Sequence, residues 1–182
     1  MSDLRSPAYW VSHTLSVAAT IIGVYYAAIV GFDAALKLEL VKADRGTYYL
    51  SESLYQELDF NVKNMDRYIE QAKGKKFVYQ EHLDGIKLND YVFQASKFSE
   101  STFEIEPRLL SEISTYYFSV GNAIAQYYQG HKQSPNNVMV VLKRESKRLQ
   151  EQQTLERFAA YKDALARDVK DSGVDVEHVS FK

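Results

Sequence analysis

The pattern of apolar and charged positions separates an apolar amino-terminal stretch from a longer part with amphipathic periodicity. From Thr14 to Phe32 no residue is charged, and the apolar character begins earlier, at Tyr9 and Trp10. A helix from Val11 to Phe32 would be roughly 33 Å long, which matches a hydrocarbon core of about 30 Å. This pattern predicts one transmembrane helix, with Tyr9 and Trp10 as anchors at the headgroup level.

Two other interpretations of the apolar stretch are less consistent with the sequence. A buried core helix rarely runs this far without a charge. A cleaved signal peptide needs a more basic leading region than Arg5 and the amino terminus provide, and no small-residue cleavage site follows the apolar run. We therefore expect the segment to remain in the protein as an anchor.

Small residues recur every four positions along the predicted membrane helix. This small-residue row consists of Ala19, Gly23, Ala27, Gly31 and Ala35. Small side chains at this spacing allow a second helix to approach closely in lipid. Alanine and glycine are also simply frequent in spanning helices, but the unbroken row favours packing against a second copy of the chain or another membrane protein.

Beyond the anchor, apolar residues at helical spacing predict a soluble helical bundle. The first seam comprises Leu54, Leu58, Val62, Met65, Ile69 and Ala72. The second seam comprises Leu110, Ile113, Tyr117, Val120, Ile124 and Tyr127. A third helix is expected from Ser134-Pro135 to about Lys170. Narrow seams of this kind are also typical of coiled-coil pairing with another chain.

Capping and breaking residues predict where these helices begin and end. Gly46-Thr47 is expected to break the helix that extends from the anchor, and Ser53 with Gln56 resembles a capping box at the start of the next one. Gly74 is expected to stop that helix. Pro107 suits the first turn of the second-seam helix, and Gly130 its end.

Residues 77–93 depart from the helical pattern. Aromatic and branched residues flank Asp84-Gly85, a dipeptide that favours a β-hairpin, although a short helix followed by a loop fits nearly as well. The predicted fold is therefore mainly α: a transmembrane helix and a helical bundle, with a small hairpin at about 77–93. The expected parts are a tail (1–10), the membrane helix with its extension (11–45), a helical domain (46–172) and a tail (173–182).

Charge and composition narrow the classes of partner. The chain has 24 acidic and 22 basic residues and a net charge of -2, which gives no indication of a nucleic-acid partner. It has no cysteine, which excludes disulfides and thiolate metal sites.

The orientation of the predicted membrane helix is not fixed by its flanking charges. Lys37, Lys42 and Arg45 favour a cytoplasmic carboxyl side, whereas a short amino-terminal tail favours the reverse orientation. We expect a single-pass protein, most consistent with a bacterial inner membrane, and leave its orientation open.

No arrangement of residues predicts catalysis, a metal site or a cofactor. The four histidines lack the spacing of metal ligands, and His82 beside Glu81 and Asp84 is best explained as a solvated pair. Glu104 and Glu106 precede Pro107, where a helix dipole favours acidic residues. A site assembled from distant residues stays open, as does the binding of a small-molecule ligand.

Two sets of residues are candidates for a partner surface. Tyr116 and Tyr128 are expected to be the outward members of adjacent tyrosine pairs on the second-seam helix, because exposed tyrosines are common at interfaces. A wide core with hydroxyls reaching water explains them equally well. The second set lies at four-residue spacing on the third helix and fits either anionic headgroups or ordinary solvent exposure. It consists of Lys143, Arg144, Lys147 and Arg148.

These features predict an interaction protein: an accessory or scaffold subunit of a membrane complex, in contact with lipid and with other transmembrane helices. The alternatives are a membrane-anchored sensory or ligand-binding bundle outside the cytoplasm and, least favoured, a membrane-tethered enzyme.

Overall fold

The computed structural model describes residues 7–129 and 134–172, and within these ranges the chain is mainly helical and contains no strand. It divides into two units, Met1–Lys42 and Ala43–Lys182. The helices are α1 (Pro7–Gln71), α2 (Tyr91–Ser96), α3 (Pro107–Tyr128), α4 (Pro135–Glu151) and α5 (Thr154–Asp171). Two 3-10 turns occupy Gln80–Leu83 and Glu100–Glu104.

The part of α1 that belongs to the first unit is long and apolar enough to cross a membrane. Its residues are exposed, apart from the half-buried Val41. Two of its hydroxyls bond within the helix: Thr14 donates to the Trp10 carbonyl at 2.8 Å and Thr20 to the Ser16 carbonyl at 2.9 Å. Internal bonding of this kind suits a segment in lipid, where water cannot satisfy polar groups.

The predicted break at Gly46-Thr47 is wrong, because α1 continues through it to Gln71. Glycine weakens a helix interior by about 1 kcal/mol relative to alanine without ending it. Gly46 faces the second 3-10 turn so closely that a Cβ atom would lie 3.0 Å from Ser101 Oγ. The absence of a side chain at Gly46 thus allows the second 3-10 turn to pack against α1. Ser53 consequently lies inside α1, where it cannot cap a helix with Gln56.

The two predicted seams lie in the core of the second unit. Of the first seam, Leu54, Leu58, Val62, Met65 and Ala72 are buried and Ile69 is half-buried. Of the second seam, Ile113, Tyr117, Val120 and Ile124 are buried and Leu110 and Tyr127 half-buried. Helices α3, α4 and α5 pack against one another, and the carboxyl-terminal part of α1 shares their core. The helical bundle is therefore confirmed.

The ends of the helices follow their predicted signals only in part. Gly74 adopts a left-handed conformation (φ +75°) just after α1, as a stop residue should. Ser134 caps α4 by accepting a hydrogen bond from the Asn137 amide. The predicted stop of α3 at Gly130 lies outside the described residues.

The hairpin predicted at 77–93 is wrong. A 3-10 turn, a left-handed Gly85 (φ +73°), an extended segment and α2 replace it. The side chains of α1 satisfy backbone groups that a strand partner would otherwise bind. Asn61 accepts from the Asn89 amide and donates to the Asn89 carbonyl, and Glu57 accepts from the amides at the start of α2.

The third predicted helix is two helices instead of one. Gln153 adopts a left-handed conformation (φ 51°) between α4 and α5, which turns the chain. The left-handed conformation is unfavourable for residues that carry a Cβ atom, so tertiary contacts must hold Gln153 in it. Thr154, the next residue, is buried and donates a hydrogen bond to the Glu112 carboxylate at 2.8 Å.

Candidate partner-binding surfaces

The small-residue row lies along a continuous stretch of α1, and each member is displaced from the next by about 40° around the helix axis. Nothing lies within 4 Å of the positions that Cβ atoms would occupy at Gly23 and Gly31. The row is therefore open to another helix. At the amino-terminal end of the span, Tyr9 and Trp10 are exposed and form an edge-to-face pair with ring centroids 6.0 Å apart.

The two candidate tyrosines differ in their positions. Tyr116 is 1% exposed, so the prediction that it faces outward is wrong. Helix α3 packs against its neighbours over a wide face, which buries Tyr116 and Tyr117 together, and burial raises the pKa of the Tyr116 hydroxyl. The Tyr128 ring is exposed, but its hydroxyl donates to the Ile86 carbonyl at 3.1 Å and so holds the extended segment.

The basic residues of α4 are largely engaged within the domain. Arg144 and Arg148 both pair with the buried Glu145, at 2.9 and 3.0 Å, and Lys147 lies 3.4 Å from Glu151. Lys143 is exposed and lines a shallow groove with Lys147. The positive charge available to an anionic partner is therefore smaller than the sequence indicates.

A buried polar cluster joins α1, α2 and α3. The Glu57 carboxylate, 5% exposed, accepts hydrogen bonds from the Val92 amide (2.7 Å), the Phe93 amide (2.9 Å) and the Tyr117 hydroxyl (3.0 Å). Asn61 donates to the same hydroxyl at 3.2 Å. Burial and then the neighbouring Glu57 charge raise the pKa of Tyr117, so it remains a neutral donor. The cluster places α2 at a defined position beside α3.

A second cluster fastens the turn between α4 and α5 to α3. Glu112 accepts from Thr154 and lies 3.0 Å from both Arg157 Nη1 and Arg108 Nε. Burial alone would raise the pKa of this carboxyl, but hydrogen bonds from Thr154, Arg157 and Arg108 outweigh it and hold the pKa below its usual value. The ionised carboxylate therefore stabilises the turn.

A cleft of about 470 Å³ lies between α2 and α3, and we call it the α2–α3 cleft. The rings of Phe93 and Tyr117 stack there with centroids 4.3 Å apart. Along α2, Lys97 donates to Gln94 at 2.8 Å, and Gln94 donates to Asp90 at 2.9 Å. The lining residues are Asp90, Phe93, Gln94, Lys97, Ser114, Tyr117, Phe118, Gly121 and Asn122.

Four strongly exposed aromatic residues lie in α2, in the segment that follows it and on α3. We call them the aromatic surface: Tyr91, Phe98, Phe103 and Phe118, which are 83%, 92%, 86% and 73% exposed. This surface could not be predicted from the sequence, because single aromatic residues in a short irregular segment have no periodicity that distinguishes core from surface. The available signal was that Phe98 and Phe103 belong to neither predicted seam.

The histidines and carboxylates form no metal site within residues 7–129 and 134–172. His82 accepts a hydrogen bond from the Tyr79 amide at 3.0 Å through Nδ1. Glu106 lies at the amino-terminal end of α3, 3.8 Å from Arg157. His131 and His178 lie outside the described residues.

Comparison with known proteins gives no match: no family model, no curated protein and no solved structure resembles this chain.

Proposed function

We propose that this protein is an accessory or scaffold subunit of a membrane complex. Its apolar helix spans the membrane once and packs through the small-residue row against other membrane helices, either a second copy or another protein. The helical domain then presents its surface to protein partners. We place it in a bacterial inner membrane, in contact with lipid on the remaining faces of the span.

The open small-residue row is the observation that carries this proposal. Without a hydrophobic driving force between helices in lipid, association depends on close packing, and small residues allow the backbones to approach. Gly23 and Gly31 have free space above them, so a partner helix can make this approach without displacing a side chain.

A substitution in the row tests the proposal. Gly23→Leu/Ala27→Leu should release the protein from its complex in mild detergent while leaving it in the membrane fraction. The two added side chains hold the helices apart, and we expect association to weaken by at least about tenfold, or about 1.4 kcal/mol. Copurification is measured with two differently tagged copies of the chain and with the complex isolated from its host.

Ala18→Leu is the matched control, since it enlarges a small residue outside the row and should leave association unchanged. Recovery of the unmodified protein as a lone monomer would contradict the assembly proposal. Equal association of the double variant and the unmodified protein would reduce the span to a tether. A reporter fused to the carboxyl end determines on which side of the membrane the domain lies.

A ligand-binding domain is the second candidate function, and the α2–α3 cleft favours it. Its volume of about 470 Å³ falls within the range of small-molecule pockets, and it combines stacked rings with polar side chains. Native mass spectrometry of the intact protein released from nanodiscs tests this role. A retained small molecule that is lost on Ser114→Leu, which would place a larger side chain in the lining of the cleft, is the expected result.

A further inference from the structure

Two members of the aromatic surface are next in sequence to residues that line the α2–α3 cleft: Tyr91 follows Asp90, and Phe98 follows Lys97. The Thr102 hydroxyl donates to the Ser96 carbonyl, which ties the turn bearing Phe103 to the end of α2.

Phe118 of α3 lines the same cleft as residues of α2, so it lies across from that helix. Most exposed apolar residues on a folded domain are scattered singly and need no explanation. Four aromatic residues, each at least 73% exposed, of which one lines a cleft and two adjoin its lining residues in the chain, are instead typical of a binding surface.

The charge around this surface is acidic. Between Asp90 and Glu106 the chain has four carboxylates and a single basic residue, Lys97. The Lys97 ammonium lies 4.7 Å from the Phe93 ring centroid, donates to Gln94 and keeps its positive charge. Glu106 lies 3.8 Å from Arg157.

Glu100 and Glu104 lie beside the exposed phenylalanines, are themselves exposed, and form no ion pair with any described residue. The surface thus combines exposed rings with uncompensated negative charge.

We propose that the aromatic surface and the α2–α3 cleft bind a basic amphipathic segment of a partner protein, with an apolar side chain in the cleft and lysine or arginine opposite Glu100 and Glu104. This inference rests on the proposed role in an assembly and names the chemistry of the partner. Apolar anchors that enter a groove supply the affinity in such interfaces, and opposite charges supply the selectivity.

The same charge argues against an anionic membrane as the occupant. A surface that binds anionic headgroups carries several lysine or arginine residues, which attract the negative leaflet. The carboxylates of Glu100 and Glu104, which form no ion pair with a described residue, would be repelled from it.

Binding of two designed peptides to the full chain in phosphatidylcholine nanodiscs tests the proposal. One is a leucine–lysine amphipathic helix and the other its leucine–glutamate counterpart, each measured by fluorescence anisotropy with empty nanodiscs subtracted. The basic peptide should bind at least about tenfold more tightly, and its affinity should fall as salt screens the charges. Equal affinity of the two peptides would overturn the proposal.

Variants locate the binding. Phe98→Ala/Phe103→Ala should weaken binding of the basic peptide by about tenfold or more, because both rings lose their contact. Phe60→Ala/Phe77→Ala removes two exposed rings outside the surface and should leave the affinity unchanged. An equal loss in both variants would overturn the proposal.

Glu100→Gln/Glu104→Gln should reduce both the affinity and its dependence on salt, and an unchanged salt dependence would contradict the charge argument. In a Trp10→Phe/Phe98→Trp variant, quenching of the indole fluorescence by brominated phosphatidylcholine would show that the surface contacts lipid and overturn the proposal.

The outcome is independent of the test of the membrane helix. If the basic peptide does not bind while Gly23→Leu/Ala27→Leu still releases the complex, the proposed function stands and only this surface is wrong. If the basic peptide binds but Gly23→Leu/Ala27→Leu has no effect on association, the aromatic surface binds a partner and the packing role of the membrane helix is wrong.

Discussion

Replacing Glu57 with glutamine tests whether a buried carboxylate holds α2 in place. Oε1 of Glu57 accepts from the Phe93 amide and the Tyr117 hydroxyl, and Oε2 accepts from the Val92 amide. Glutamine can keep a carbonyl oxygen at the first position, but its NH₂ group would then face the Val92 N–H, a second donor. The hydrogen bond from the Val92 amide is lost, and the other two hydrogen bonds are made to a neutral acceptor instead of a charged one.

The magnitude follows from these three bonds. A hydrogen bond to a charged group contributes about 1.5–3 kcal/mol, and a neutral one about half of that. Part of the loss is offset because a neutral amide costs less to bury than a carboxylate. We expect Glu57→Gln to destabilise the placement of α2 by about 2 kcal/mol, which corresponds to roughly 30-fold faster amide exchange.

Hydrogen exchange with mass spectrometry on the detergent-solubilised full chain measures this effect, with urea unfolding followed by far-UV circular dichroism alongside. Peptides covering Tyr91–Ser96 should show the increase. Glu70→Gln is the matched control on the same helix, since Glu70 forms an exposed pair with Lys73 that should contribute less than about 1 kcal/mol. Exchange in Tyr91–Ser96 that is the same in both variants would refute the assigned role of Glu57.

Two further predictions concern the turn between α4 and α5. The folded-state pKa of Glu112 is lowered from the ordinary value of 4.5, so its ionised form stabilises the fold at neutral pH, and this contribution is lost as the pH falls below about 4.5 and through the lower folded-state value. Glu112→Gln should lower the free energy of unfolding by roughly 1–3 kcal/mol at pH 7 and make the urea midpoint less dependent on acid pH. Parallel pH profiles of the urea midpoint in the variant and the unmodified protein would contradict the role of the carboxylate. Gln153→Val should destabilise the domain by about 1–2 kcal/mol because a branched side chain resists a left-handed conformation, whereas Gln153→Gly should match or slightly exceed the unmodified protein in thermal stability. Equal melting temperatures for all three proteins would argue against the left-handed turn.

Local signals in the sequence were sufficient for the helices that have a uniform environment along their length. The absence of charge over Thr14 to Phe32 reflects a simple length requirement, so it identifies a possible membrane span without any tertiary information. The seams from Leu54 to Ala72 and from Leu110 to Tyr127 likewise report the side of each helix that avoids water. Ser134-Pro135 marks the start of α4 because capping involves only neighbouring residues.

The tertiary structure decided the features in which distant side chains override a local preference. Gly46 lies inside α1, where the second 3-10 turn packs against it, and Gln153 turns the chain where a helical pattern continues. Residues 77–93 form no hairpin because Glu57 and Asn61 of α1 bond their backbone. None of these contacts has a signature within a few residues of the affected position.

The surfaces show the same division. The small-residue row is a property of one helix and could be identified from sequence spacing. The spacing of one seam indicates only part of the buried face and so predicts an outward Tyr116, whereas packing against several helices buries a wider part of α3. The α2–α3 cleft depends on the position of α2, which the Glu57 cluster holds, and the exposure of Phe98 and Phe103 depends on how the following segment packs. Sequence periodicity therefore determined which segments are helical and apolar, and the packing of those segments decided which side chains remain available to a partner.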